Sequence, residues 1–323
     1  MIKGKILYAF LGLSIVANIA AAYFWLGFPS SFSPRGTVEN SQKVFPYLAK
    51  RIFVENPSDI LINFTKLRVI LRQLVDKAVG TTNGAIGLYF EYLPTGNSIG
   101  INDREPFASA SLIKTPVAMA MYRMAEKGRL RMDEKLTLRR EYLDSRSGEL
   151  WRKGENSNIT IAEAVSLMLR ESDNTAMNVL VSRLDKSELE EIYDSLDIPR
   201  ELYGGDLSIT PKGYSSIFRS LYFASSVSRE ASNDILRILS ETPFHLEIPA
   251  GVPDAVAVSH KVGVIGTQVS GREETLSDCG IVYVPKRPYL LCLMVKSMDR
   301  EKARQFFKEI SQSAYQFVLS ANP

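Results

Sequence analysis

The sequence predicts an α/β (α+β) fold, a five-stranded sheet flanked by helices with an all-α segment inserted after its first hairpin. Three features lead there. Residues 64–79 repeat apolar side chains at Leu67, Ile70, Leu71, Leu74, Val75 and Ala78, the spacing of an amphipathic helix. Five short apolar stretches read as strands, two before and three after a long segment of helical pattern. A final helical stretch closes the chain, so helix, two strands, helical block, three strands and helix occur in order.

In chain order, residues 6–28 carry no charged side chain and as a helix would reach roughly 34 Å, enough for a hydrocarbon core of about 30 Å. Lys3 and Lys5 precede this run and would hold the N-terminus in the cytoplasm, sending the remainder of the chain outward. Ala20-Ala21-Ala22 would also suit a signal peptidase, leaving a secreted product. Tyr23, Phe24 and Trp25 continue the run as an interfacial aromatic belt and favour an uncleaved anchor over 1–28. Residues 29–58 have the Pro/Ser/Gly character of a tether, and the globular part is expected over 59–321, with its α-subdomain at about 109–225.

Pro57 and Asp59 are start signals for the first helix. Strands at 85–92 and 98–101 flank the turn Leu93-Pro-Thr-Gly-Asn97. The helical block then runs from about Ser109 to Ser195, with Thr160 and Glu163 forming a capping box. Strands are expected at 255–262, 279–284 and 289–295, and Asp299 starts a terminal helix with Phe306, Phe307, Ile310, Phe317 and Val318 on one face.

Composition excludes some functions. The 323 residues are 45% hydrophobic and 23% charged, as in an ordinary globular protein. The 39 basic and 36 acidic residues give a net charge of +3 without a basic stripe, so no nucleic-acid partner is indicated. Cys279 and Cys292 form neither a metal-spaced cluster nor a disulfide framework. A turn at 285–288 is expected to set them out of direct register, which favours two buried thiols over a bridge.

The chemistry lies in three short motifs: Ser111-Leu-Ile-Lys114, Ser172-Asp-Asn174 and Lys261-Val-Gly263. Ser111 and Lys114 share a helix face if Ser109 caps the helix, near free N–H groups that stabilise an oxyanion. Pro116 in that helix would delete a hydrogen bond. Ser172 and Asn174 stand at a turn between helices, where Asp173 is suited to cap the second. Lys261 and Gly263 end a strand, the glycine letting a ligand approach the backbone. Singly, each motif reads as well as a surface SxxK, a cap cluster or a strand-end lysine. Together they provide a nucleophile and a lysine base without imidazole, which matters because His245 and His260 are the two histidines and neither has a hydrolase context. Burial and mutual repulsion of Lys114 and Lys261 would favour the neutral amine.

With these motifs in this order and spacing, the sequence resembles the class A β-lactamase and penicillin-binding serine acyltransferase superfamily, whose signatures are SxxK, SDN and KTG. The text around the motifs, Phe107-Ala-Ser-Ala-Ser111 and Met168-Leu-Arg-Glu-Ser172, resembles it as well, and the likeness runs from about Leu67 to Val318. The resemblance implies a β-lactamase/transpeptidase-like antiparallel sheet. It implies Ser111 as nucleophile, Lys114 as its base directly or through water, and Ser172 as the relay to the leaving nitrogen. Asn174 would orient the substrate amide, Lys261 would hold a carboxylate and bias Lys114 toward neutrality, and the N–H groups of Ser111 and Val264 would form the oxyanion hole.

The sequence departs from the family pattern at two places. Val262 replaces the family's threonine, so carboxylate recognition is weaker or falls to Thr267 or Ser270. The E-x-x-L-N loop that carries the deacylating glutamate is missing, and Glu201 and Asp206 are the nearby carboxylates. Slow turnover is the expected phenotype. The expected protein is a membrane-tethered, extracytoplasmic, monomeric serine hydrolase acting on a β-lactam or an acyl-D-Ala-D-Ala-like small substrate, with no cofactor and no metal. Its rivals are a D,D-peptidase acting on peptidoglycan stems and a non-catalytic envelope binding protein.

Overall fold

The computed structural model describes residues 45–49, 62–80, 84–199, 202–203, 206–266 and 274–321. The expected membrane span, most of the tether, and Pro57 and Asp59 lie outside the described residues, among which no helix is long and apolar enough to cross a membrane.

Helix α1 (Thr65–Val79) buries Leu67, Leu71 and Val75 of the expected stripe, whereas Ile70, expected on the same face, is exposed. It leads into the hairpin β1 (Ile86–Tyr92) and β2 (Asn97–Ile101), then the short β3 (Phe107–Ala108). The helical block comes next as α2 (Lys114–Glu126), a ribbon of β4 (Lys135–Thr137) with β5 (Asn158–Thr160), α3 (Ile161–Arg170), α4 (Asn174–Val181) and α5 (Lys186–Ser195). It is thus less continuous than its pattern suggests, since the ribbon and a loop of 3-10 turns separate α2 from α3. The hairpin β6 (Leu202–Tyr203) and β7 (Asp206–Ile209), helices α6 (Pro211–Phe223) and α7 (Arg229–Ser240), strands β8 (Val258–Ile265), β9 (Thr275–Val282) and β10 (Tyr289–Lys296), and α8 (Arg300–Ser320) complete the chain.

The five-stranded sheet is antiparallel, in the order β2-β1-β10-β9-β8. The first and last strands of the sequence therefore meet at its centre, with Ile86 opposite Val295. Alternation divides the side chains between two cores. Leu88 and Phe90 on β1 and Leu291 and Leu293 on β10 pack with α1 and α8, whereas Tyr89, Cys292 and Met294 face the helical block.

Two strand-end expectations change. Strand β8 begins at Val258 and runs to Ile265, so Lys261-Val-Gly lies within it; the last pairs, Val264 with Leu276 and Ile265 with Thr275, carry it past the motif. Cys279 and Cys292 are directly opposed and joined by a disulfide, contrary to the expectation of two thiols out of register. Val282 pairs with Tyr289, and from that closing pair the third residue along each strand is a cysteine.

Candidate active site

Ser111 lies in a 3-10 turn, Ala110–Ile113, immediately before α2. Ser109 makes no side-chain cap there, contrary to the sequence reading. Ala110 instead adopts a left-handed conformation, φ 44°, which turns the chain from β3 into the helix. Lys114 opens α2, so Pro116 falls in the first helical turn, where its missing N–H has no intrahelical partner to lose.

Lys114 is 3% exposed, and its Nζ contacts four oxygens. Ser111 Oγ lies at 3.2 Å, Ser172 Oγ at 3.1 Å and Asn174 Oδ1 at 2.8 Å, and the fourth is the carbonyl of Ser172. A carbonyl and an amide oxygen can only accept hydrogen bonds, so they occupy the two N–H bonds of a neutral amine and leave its lone pair for a hydroxyl. Burial lowers the Lys114 pKa to about 8, against the charges of Asp173 and Asp144 and with that of Arg146.

The Ser172-Asp-Asn triplet is held by its middle residue. Asp173, wholly buried, caps α4 by accepting from the Ala176 N–H at 2.8 Å and accepts from the Leu150 N–H at 2.8 Å. Ser172 takes φ 56°, turning its carbonyl and hydroxyl toward Lys114. Gly148, at φ 81°, passes so close to Asp173 that a Cβ there would stand 2.0 Å from its Oδ2.

Lys261 is 1% exposed and lies 5.8 Å from the Phe244 ring centroid. Burial first, and the Lys114 charge second, lower its pKa to about 7, against the pull of Asp278. Gly263 differs from the sequence reading. A Cβ on it would meet Leu112 Cγ at 3.1 Å and Ser109 O at 3.2 Å, so its missing side chain admits the turn that carries Ser111 rather than a ligand. With Ser111 as the expected nucleophile, Gly263→Val should displace that turn and lower the rate of acylation by about a hundredfold. Stopped-flow acylation measurements, with the Tm as a control for global unfolding, check this.

Ser111, Lys114, Ser172, Asn174, Val262 and Val264 line one cleft of about 640 Å³; Lys261 and Gly263, which alternate with Val262 and Val264 along β8, are not among its lining residues. Of the two suggested deacylation bases, Glu201 lies outside the described residues and Asp206 is described by its backbone, paired with Tyr203. Thr267 and Ser270 also lie outside them. His260 is bound through Nδ1 to Asp278 at 2.8 Å, and alternation along β8 puts it on the opposite face from Lys261.

Four charged lining residues have no place in the motifs: Arg146, Glu247, Arg300 and Arg304. Arg304 Nε donates to Glu247 Oε1 at 3.2 Å, and burial raises the Glu247 pKa, followed by the Asp278 charge. The arginines left a signal in the sequence, because Arg300 and Arg304 stand one turn apart at a helix N-terminus, where the dipole disfavours cations.

A model of the beta-lactamase enzyme family matches residues 67–318. A beta-lactamase of Bacillus licheniformis is 24% identical over 254 residues, covering 73% of this chain and 79% of its own. The structure of PBP-A resembles this one with a TM-score of 0.70 at 25% identity, over 79% of this chain and 98% of that one. A beta-lactamase of Sphaerobacter thermophilus gives a TM-score of 0.71 at 21% identity over 81% and 100% of the two chains, a likeness of fold.

Proposed function

The chain belongs to the beta-lactamase enzyme family, and from that membership we propose a serine β-lactam hydrolase working through an acyl-Ser111 intermediate. The observation that carries the mechanism is the placement of Lys114 Nζ 3.2 Å from Ser111 Oγ in a surround fitted to a neutral amine. Lys114 accepts the Ser111 proton, Oγ bonds to the carbonyl carbon, and the N–H groups of Ser111 and Val264 receive the oxyanion. The C–N bond then breaks as the proton passes from Lys114 through Ser172 Oγ, 3.1 Å away, to the leaving nitrogen. Asn174 orients the amide of the acyl half. Arg300 and Arg304, at the β8 end of the cleft, take the substrate carboxylate for which Val262 has no hydroxyl.

Hydrolysis of the ester requires a base for water. Among the described lining residues the one carboxylate is Glu247, which is engaged by Arg304. With the E-x-x-L-N loop missing from the sequence, deacylation is the slow step. Mass spectrometry after exposure to benzylpenicillin should find the adduct on the Ser111 peptide, appearing quickly and decaying slowly. No adduct at Ser111 would end the acyl-transfer reading.

The likeness to PBP-A favours one second reading, a D,D-peptidase on peptidoglycan stems, which shares the acylation step. Stoichiometric labelling by a fluorescent penicillin without turnover of a chromogenic cephalosporin selects it; sustained turnover selects the hydrolase. Residues 6–28 anchor the chain with its catalytic part outside the cytoplasm, and the Cys279–Cys292 disulfide supports an oxidising compartment.

A further inference from the structure

The arginines that line the cleft sit at two separate places. Arg300 and Arg304 flank the end of β8, near Gly266. Arg146 lies on the other wall, beside Ser147, whose carbonyl accepts the Asn174 N–H at 3.0 Å. The turn bearing Ser111 joins these walls, packed against Gly263 on one side and linked through Lys114 to Ser172 and Asn174 on the other. Arg146 grips Asp144 through Nε, at 3.1 Å, and Nη2; among the described residues its Nη1 has no partner, and the side chain is 83% exposed. A guanidinium with a free edge suits a carboxylate.

We infer that this site prefers dianionic acyl donors, with one carboxylate in the leaving half facing Arg300 and Arg304 and a second on the acyl side chain facing Arg146. The inference rests on the acyl-Ser111 reading, because Asn174 marks the acyl half only if Ser111 is the nucleophile. The substrate class is a β-lactam, or an acyl-D-amino acid, with a carboxylated acyl group.

The test pairs benzylpenicillin with its α-carboxybenzyl counterpart, which differs by one carboxylate, on the full chain and on Arg146→Ala, Arg146→Glu and Arg146→Lys. The readout is the ratio of the two acylation rate constants within each protein, so a change in Lys114 reactivity common to both substrates cancels. The full chain should favour the carboxylated compound by about fivefold at low salt, with the ratio falling toward one as salt screens the pair. Arg146→Ala should abolish the preference, Arg146→Glu reverse it and Arg146→Lys keep most of it. A ratio of one or less in the full chain, or a preference that survives Arg146→Glu, overturns the inference while leaving acyl transfer intact. If neither compound acylates Ser111, the acyl-transfer reading falls instead, and equilibrium binding of the same pair must show the same order for the charge preference to stand.

Discussion

Lys114→Met is expected to slow acylation of Ser111 by about a thousandfold, the loss that accompanies removal of a general base. In the unsubstituted protein the same rate should rise with pH, because the base is the neutral amine. With its pKa lowered to about 8, Lys114 is about one-tenth neutral at pH 7 and about nine-tenths neutral at pH 9. Acylation should therefore increase roughly tenfold across that interval and then level off. An ordinary exposed lysine would keep rising beyond pH 10. Burial drives the shift, Arg146 adds to it, and Asp173 and Asp144 limit it. Lys261 loses its own charge near the lower end of the interval, which removes a repulsion between the two amines. The profile is measured by stopped-flow acylation at saturating buffer strength, and a flat response from pH 7 to 9 would sink the lysine-base mechanism.

Gly148→Val is expected to be the most damaging substitution away from the reacting groups. Its Cβ would enter the space of the Asp173 carboxylate, at a backbone angle that a β-branched residue does not tolerate. Asp173 would then lose the Leu150 and Ala176 N–H groups, leaving a wholly buried carboxylate and an uncapped α4. A cost of about 3 kcal/mol is expected from these losses, or a Tm lower by about 6–12 °C for a domain of this size. Acylation should fall as well, since Ser172 and Asn174 supply three of the four oxygens around Lys114. Gly128 provides the comparison. It has φ 71° with nothing within 4 Å of its would-be Cβ, so Gly128→Val carries the backbone strain without the clash. Equal Tm losses in the two variants would contradict the role given to Asp173.

Legibility in the sequence tracks the range of the interactions concerned. The stripe of α1 apart from the exposed Ile70, the Thr160–Glu163 capping box and the Asp299 cap are settled by neighbours within a few residues, and they stand where their patterns put them. The three motifs are legible for a related reason, each being a run of adjacent residues. Strand β8 was displaced by three residues because its ends are set by β9, not by its own apolar content. The cysteine pairing went unseen since it depends on which residues close the β9–β10 connection. Gly263 looked like an opening for substrate because a sequence cannot show that the Ser111 turn fills the space behind it. Arg146 and Arg304 belong to no motif and reach the cleft from a loop and a helix that only the folded chain brings together.

The central position of β1 against β10 has a consequence for biogenesis. A nascent chain carries Ser111, Lys114 and the Ser172–Asn174 segment well before β8 exists to back the Ser111 turn. The N-terminal hairpin must wait beside an empty neighbouring place until the last strand has been made, a long-range closure of the kind that slows folding. Reactivity is therefore expected to arrive late, and a ribosome-bound or truncated chain lacking β8 to β10 is expected to hold Ser111 and Lys114 without acylating.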